Sequence, residues 1–381
     1  GVSVLLGNGD GSLRAARTYI SGFGISSLAT GDFNGDGKAD VVTANRFDAR
    51  ADVGILMGKG DGTFRSRVAY AVPAGSLCVA TGDFNLDGKL DVVAGGVNDV
   101  SVLLGNGDGT FQRPIKSAAD VEQDFVAVGD FNGDGKPDVV VLASGQFGIM
   151  LGNGDGTFQA PINYSGGIGL AVGDFNGDGT LDVAMSTFSG TTIWLGNGDG
   201  TMQMAGTYSG GQGNLVTGDF NHDGKLDLAV SDTAANVVDV LLGNGDGSFQ
   251  PVVGYTMTQP GNLVVFDLNG DGKLDIAASD FNDNNLGVLL GNGDGTFRTV
   301  VNFPAGNPDA LAVGDFNKDR AADLVFSSFG NTIHVFLNSG GALVSATSSS
   351  NPSKFGQPVT FTTTVAPTFS FIGTPTGTVT F

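Results

Sequence analysis

Seven times along the chain, aspartate and asparagine recur on alternate positions of a nine-residue stretch. That spacing lets a tightly curled loop converge several oxygen atoms on one hard cation. In the first copy, DFNGDGKAD, the side chains of Asp32, Asn34, Asp36 and Asp40 hold positions 1, 3, 5 and 9, and position 7 offers the Lys38 carbonyl. The second copy supplies Asp83, Asn85, Asp87, Lys89 and Asp91, and the third Asp130, Asn132, Asp134, Lys136 and Asp138. The fourth supplies Asp174, Asn176, Asp178, Thr180 and Asp182, and the fifth Asp219, Asn221, Asp223, Lys225 and Asp227. The sixth supplies Asp267, Asn269, Asp271, Lys273 and Asp275. The seventh, DFNKDRAAD, keeps Asp315, Asn317, Asp319 and Asp323 but carries Arg320 where the other copies have glycine.

Calcium suits such a set better than magnesium, which usually keeps several waters rather than accept a protein cage. The glycine at position 6 permits the sharp turn. No glutamate stands at position 12 and the flanks read as strands, so the loop is not an EF-hand. A single copy leaves a polar hairpin turn as the alternative; seven in register argue against it. Seven Ca2+ ions would move the formal net charge from −21 to about −7. The expectation is six strong calcium sites, with a weak or absent seventh because Arg320 brings a cation to the ligands.

The loops need a scaffold that repeats with them. Successive nonamers begin 44 to 51 residues apart, about the length of a four-stranded propeller blade. A second motif falls between them: LGNGDGSL from Leu6, MGKGDGTF from Met57, LGNGDGTF from Leu104, Leu151 and Leu290, and variants from Leu195 and Leu242. Apolar alternating segments flank each N-G-D-G turn, which signals a hairpin. Each unit therefore holds four strands, A to D, with the nonamer at the A to B turn. Phe at position 2 of the nonamer (Phe33, Phe84, Phe131, Phe175, Phe220 and Phe316, with Leu268 once) reads as packing between blades.

The fold class is all-β: about seven four-stranded blades arranged as a propeller, which covers both faces of every sheet and protects its edges. An open solenoid is the geometric rival. Residues 1–345 form the propeller, and 346–381, rich in Thr, Ser and Pro, begin a second all-β module that stops in mid-strand. Residues 1–20 supply C and D strands with no A or B before them. They either complete the last blade or belong to a truncated extra one.

Composition agrees with a folded β-protein: Gly 64, Phe 27, 40% hydrophobic residues and 15% charged. Almost all the acid is aspartate, which argues for placed ligands rather than a generally solvated surface. The charge excludes nucleic acid and anionic membranes as partners, since both reward Lys and Arg. No apolar run is long enough to span a bilayer. The lone Cys78 sits at an apolar strand position and reads as a small buried hydrophobe.

The DFNGDGKxD nonamers joined to LLGNGDGTF hairpins resemble the FG-GAP and VCBS repeat family, whose relatives include the integrin α-subunit head. The resemblance covers about residues 1–343. It implies calcium in the A to B loops, an extracellular or cell-surface location, and adhesion or ligand recognition. The tail resembles the start of a bacterial immunoglobulin-like domain, a truncated β-sandwich segment.

Strand alternation puts the A to B and C to D turns on one face of the ring and the B to C and D to A connections on the other. The metal face is uniform, whereas the opposite loops (NRFDARAD, SAADVEQD, SGGQGN, TMTQPGN) vary in length and chemistry, as recognition loops do. Phe47, Phe147, Phe188, Phe281 and Phe329 recur near the B to C connections. They either stack on sugar rings or plug gaps between blades. The expectation is a monomeric calcium-stabilised module binding an extracellular carbohydrate or protein ligand, without enzymatic activity. A polysaccharide lyase or glycosidase and a structural spacer are the alternatives. His222 and His334 lie far from any nucleophile pattern.

Overall fold

A computed structural model describes residues 2–5, 17–18, 24–46, 52–72, 78–119, 123–143, 145–280, 282–328, 332–336, 342–348 and 361–367. They form strands and turns throughout. No helix among them is long and apolar enough to cross a membrane.

The first blade shows how the repeat folds. Strand A (Ile25–Gly31), strand B (Asp40–Asn45), strand C (Asp52–Leu56) and strand D (Val68–Ala71) pair antiparallel in chain order. Strands B and C are buried along their whole length, because a neighbouring sheet covers each face; this is why they read as continuous apolar runs rather than strict alternations. Strand D lies at the outer rim and is mostly exposed. Five further four-stranded sheets repeat this order.

The strand-A segments Ile25–Gly31, Cys78–Gly82, Phe125–Gly129, Gly169–Gly173, Leu215–Gly218, Pro260–Phe266 and Pro308–Gly314 each pack against the next, and the last packs against the first. The ring is closed, which removes the solenoid alternative. At the closing junction the Thr30 hydroxyl donates to the Val313 carbonyl at 2.8 Å.

Seven apolar clusters fill the seven junctions, so the core is a ring of interfaces rather than one central mass. Between blades one and two, Phe33, Val42 and Ile55 meet Val79, Val92 and Phe111. Between blades seven and one, Phe316, Val325 and Val335 meet Ile25, Val41 and Phe64. The position-2 phenylalanines lie in these seams. Five of their rings stand edge-to-face with the phenylalanine that closes the next blade's hairpin, as in Phe33 to Phe111 at 5.4 Å and Phe84 to Phe158 at 5.7 Å, while Phe131 meets Met202.

The seventh blade has five strands. Beyond Pro308–Gly314, Asp323–Ser328 and Thr332–Phe336 come Val2–Leu5 and Arg17–Thr18, so the amino-terminal strands complete the last blade instead of starting an eighth. Val2–Leu5 pairs parallel to Thr332–Phe336, with Val2 opposite Ile333. In the tail, Ala342–Ser348 and Phe361–Pro367 form an antiparallel two-stranded ribbon. The rest of the immunoglobulin-like reading falls outside the described residues, as do Phe47, Phe281 and Phe329.

Candidate functional site

Each nonamer curls around its own side chains. In the first copy Asp32 Oδ1 accepts the Asp36 N–H at 3.1 Å and Asp32 Oδ2 accepts the Gly37 N–H at 2.7 Å. Asn34 Oδ1 accepts the Asp36 N–H at 2.9 Å, and Asp36 Oδ1 accepts the Lys38 N–H at 3.0 Å. The backbone is thereby wrapped around the oxygens of positions 1, 3 and 5. The bonds from position 1 to the N–H groups of positions 5 and 6 recur at Asp83, Asp130, Asp174, Asp219, Asp267 and Asp315.

The curl demands a left-handed backbone at position 6, from Gly37 (φ 71°) to Arg320 (φ 70°). Position 4 is left-handed as well, although its residue type varies between copies. Gly35 adopts it freely, but Leu86, His222 and Lys318 hold φ of 59°, 59° and 63° against their own Cβ atoms. Glycine in the other four copies was the signal.

Position 9 does more than face the loop. Asp40 is fully buried. Its Oδ2 accepts the Phe33 N–H at 3.0 Å and its Oδ1 accepts the Gly58 N–H at 2.6 Å, at the entry to the C to D hairpin. The Gly58 contact recurs at Asp91, Asp138, Asp182, Asp227 and Asp275. Gly58 has to be glycine, since a Cβ there would lie 2.1 Å from the Ala39 carbonyl oxygen.

Burial pushes the Asp40 carboxyl up to about 6; its two amide donors pull it back, and the charges of Asp32 and Asp36 push it further up. Asp227 and Asp275 are likewise pushed to about 6, and Asp91, Asp138 and Asp182 are raised for the same reasons. In six copies, then, a buried carboxylate feels two more on its own loop. That is an electrostatic arrangement a divalent cation relieves.

The donor set fits a hard cation in kind: carboxylates at 1 and 5, an amide oxygen at 3 and a carbonyl at 7, each oxygen with lone-pair capacity beyond its N–H partner. Among the described residues no three His, Cys, Asp or Glu side chains are already gathered as a metal cluster. Position 7 adds a group the sequence reading missed. Lys38 Nζ pairs with Asp36 Oδ2 at 2.8 Å, and Lys89, Lys136, Lys225 and Lys273 pair with their own position-5 aspartates at 3.0 to 3.7 Å. In the fourth copy the Thr180 hydroxyl donates to Asp178 instead. The lysine hydrogen bond at Asp36 and Asp87, and the hydroxyl at Asp178, hold those carboxyls below the usual range.

A family model described as FG-GAP-like repeat matches residues 1–43, 32–94, 83–141, 130–185, 174–230, 219–278 and 267–326. The chain belongs to the FG-GAP-like repeat family. It has no match among curated proteins. Similar solved structures include a lectin of Agrocybe aegerita described as specifically recognising non-reducing terminal N-acetylglucosamine. That likeness has a TM-score of 0.56 at 21% identity and covers 81% of this chain and 91% of the lectin. BBS1N in complex with ARL6DN gives a TM-score of 0.60 at 14% identity, covering 83% and 93%. A protein from Lactobacillus plantarum gives 0.57 at 14%, covering 75% and 86%. At such identities these likenesses concern the fold alone.

The second FG-GAP motif satisfies itself. Asp61 Oδ1 accepts the Thr63 N–H at 3.0 Å and the Thr63 hydroxyl at 2.5 Å, and the same pair recurs at Asp108, Asp155, Asp199, Asp246 and Asp294. These are turns that lock blades together. Gly62 donates its N–H to the Phe316 carbonyl at 2.9 Å, and Gly109, Gly156, Gly200, Gly247 and Gly295 donate to the position-2 residue of the preceding blade.

The two faces of the FG-GAP ring separate as strand alternation requires. The nonamer and the C to D turn touch on one side, where a Cβ on Gly60 would sit 3.0 Å from Lys38 Cδ. On the other, the D to A connections meet the B to C turns: Gln123 N–H donates to the Gly96 carbonyl and Met257 N–H to that of Asn236. Of the aromatics near those turns, Phe147 is an inter-blade plug, 1% exposed and stacked on Tyr164 at 5.0 Å. Phe188 is 82% exposed. His334 is stacked on Phe326, and burial drives its ring down to about 4; His222 belongs to the fifth nonamer.

Proposed function

We propose that this FG-GAP propeller is a calcium-stabilised binding or adhesion module that works outside the cell. It recognises a carbohydrate or protein ligand through the loops opposite the aspartate loops. The observation that carries the reading is the repeated convergence of oxygens from positions 1, 3 and 5 beside a buried aspartate whose proton affinity is raised. Asp32, Asn34, Asp36, the Lys38 carbonyl and the free lone pairs of Asp40 would hold the ion, and the corresponding residues would do so in the next five copies. When bound, the cation supplies charge neutralisation and a cross-link within the A to B loop. The protein's part is to hold those oxygens in place, through the N–H donors of positions 5 to 7 and the tie from Asp40 to Gly58.

The seventh loop is furnished differently. Arg320 occupies the left-handed position, and Lys318 Nζ reaches across the ring closure to the Asp36 carbonyl of the first loop at 3.2 Å, so the seventh loop carries two cationic side chains that disfavour a metal there. Recognition by the opposite face is supported by its irregular loops and by likeness to a lectin. His334 Nε2 lies 3.2 Å from the Ser328 hydroxyl, but Ser328 is buried and the imidazole is stacked on Phe326, so the pair belongs to the packing of the seventh blade.

The test is a calcium titration of the metal-stripped protein, followed by thermal melting and native mass spectrometry. Six bound ions and a higher melting temperature are expected. A melting curve indifferent to calcium would sink the reading.

A further inference from the structure

On the face away from the aspartate loops, a cleft of about 410 Å³ opens between the third and fourth blades, lined by Asp124, Leu142, Gly166, Gly167, Ile168 and Phe188 among others. It has the size of a small-ligand pocket, and three features make it more than a seam.

The first is its rim. Phe188 sits at the two-residue tip of the hairpin in which Thr187 pairs with Gly190. The tip is held stiff, since the Thr187 hydroxyl donates to the Gly190 carbonyl at 2.9 Å and accepts the Ser189 N–H at 3.1 Å. A rigid turn thus presents an aromatic ring that is 82% exposed, while Phe147, inside strand Gln146–Met150 of the third blade and opposite Leu142, is 1% exposed. A ring kept in water on a fixed mount is preorganised for stacking.

The second is the floor. A Cβ on Gly167 would lie 1.9 Å from the Ser186 carbonyl oxygen, and one on Gly166 2.5 Å from the Gln146 carbonyl carbon. Both directions run into backbone, so neither position can carry a side chain, and apolar Leu142 and Ile168 line the cleft beside them. The third is the opposite wall, where Asp124 is exposed and fixed at its backbone by the N–H that donates to the Leu142 carbonyl at 2.8 Å. Its carboxylate carries no ion pair among the described residues.

The Phe188 ring, the apolar Leu142 and Ile168 and one acceptor-only carboxylate suit a ligand with an apolar face and hydroxyl donors at its edge. We propose that this cleft binds one terminal pyranose ring of a glycan, its C–H face stacked on Phe188 and two of its hydroxyls donating to Asp124. The proposal rests on the reading of the propeller as a binding module and gives that reading an address. An anionic ligand fits less well, for the wall is anionic and the protein's net charge is −21; a cationic pyranoside, an amino sugar, is not disfavoured.

The test uses the full chain in calcium buffer with a panel of methyl pyranosides, followed by saturation-transfer NMR and titration calorimetry. At least one pyranoside is expected to bind. F188A should weaken it by about tenfold, D124N by about tenfold or more, and F188W should keep it. Both residues are exposed, so melting temperatures should stay unchanged and separate lost contact from lost fold. Binding that survives both F188A and D124N overturns the cleft while leaving the module reading standing. Silence from every pyranoside, or a preference for apolar peptides, also overturns it. The module reading itself falls separately, on the calcium melting curve.

Discussion

Asp40 accepts the amide N–H of Gly58 at 2.6 Å, so the aspartate that ends the A to B loop also fastens the entry to the C to D hairpin. One carboxylate thereby couples the candidate metal loop to the packing of its blade.

That coupling predicts a cost independent of calcium. D40N would turn an amide N–H2 toward either Phe33 N–H or Gly58 N–H and leave a buried donor unsatisfied, a loss of about 2 to 3 kcal/mol. Urea unfolding with and without chelator measures it. A loss confined to the calcium-bound protein would mean that Asp40 serves the metal alone.

Calcium itself should stabilise strongly. At ten times the dissociation constant each site contributes about 1.4 kcal/mol, and six together about 8 kcal/mol as an upper limit. Melting temperature against free calcium should rise steadily, and D36N should remove one ion from the mass spectrum.

Acidity should act oppositely on the metal-free and metal-bound protein. Asp40, Asp227 and Asp275 are pushed from 3.8 to about 6, so between those values the folded state holds more protons than the unfolded. Metal-free stability should fall as pH rises from about 4 to about 6. His334, lowered to about 4, works in the other direction but is one group against four, since burial raises Asp309 to about 6 as well. Calcium binding needs ionised carboxylates and should strengthen over the same window. Denaturant midpoints at pH 4.5 and 7.5, with and without calcium, would show the crossing; parallel curves would refute it.

Arg320 offers a gain of function. R320G relieves a left-handed arginine, worth about 1 kcal/mol, and takes a positive charge off the loop in which the Arg320 N–H donates to Asp315 Oδ2. A seventh calcium should then appear by native mass spectrometry. An unchanged count would assign the exclusion to Lys318 instead.

Much of this architecture can be read from the chain because it repeats. The nonamers and N-G-D-G turns, each bounded by apolar segments, dictate four strands per unit, and Phe33 and its counterparts announce the seams they fill. The rest depends on partners distant in sequence. Asp40 meets Gly58 only because strand C returns beside the loop, and nothing within DFNGDGKAD reports that. VSVLL has the pattern of an ordinary C strand, yet Val2–Leu5 lies parallel to Thr332–Phe336, a choice made by the free edge of the seventh sheet. Phe147 and Phe188 both fall near B to C connections in the sequence, but Phe147 lies inside strand C against Tyr164 and Trp194, while the hairpin tip carries Phe188 into solvent.

The backbone link from each C to D turn to the preceding blade has a directional consequence. Each of the six blades whose C to D turn is described hands an amide backwards, as Gly109 does to Phe33, so these links run one way around the circle like overlapping roof tiles. New chain ends introduced at a D to A connection would spare all of them, whereas ends opened inside a nonamer would unfasten two blades at once. Permuted variants of the first kind should assemble, and those of the second should not.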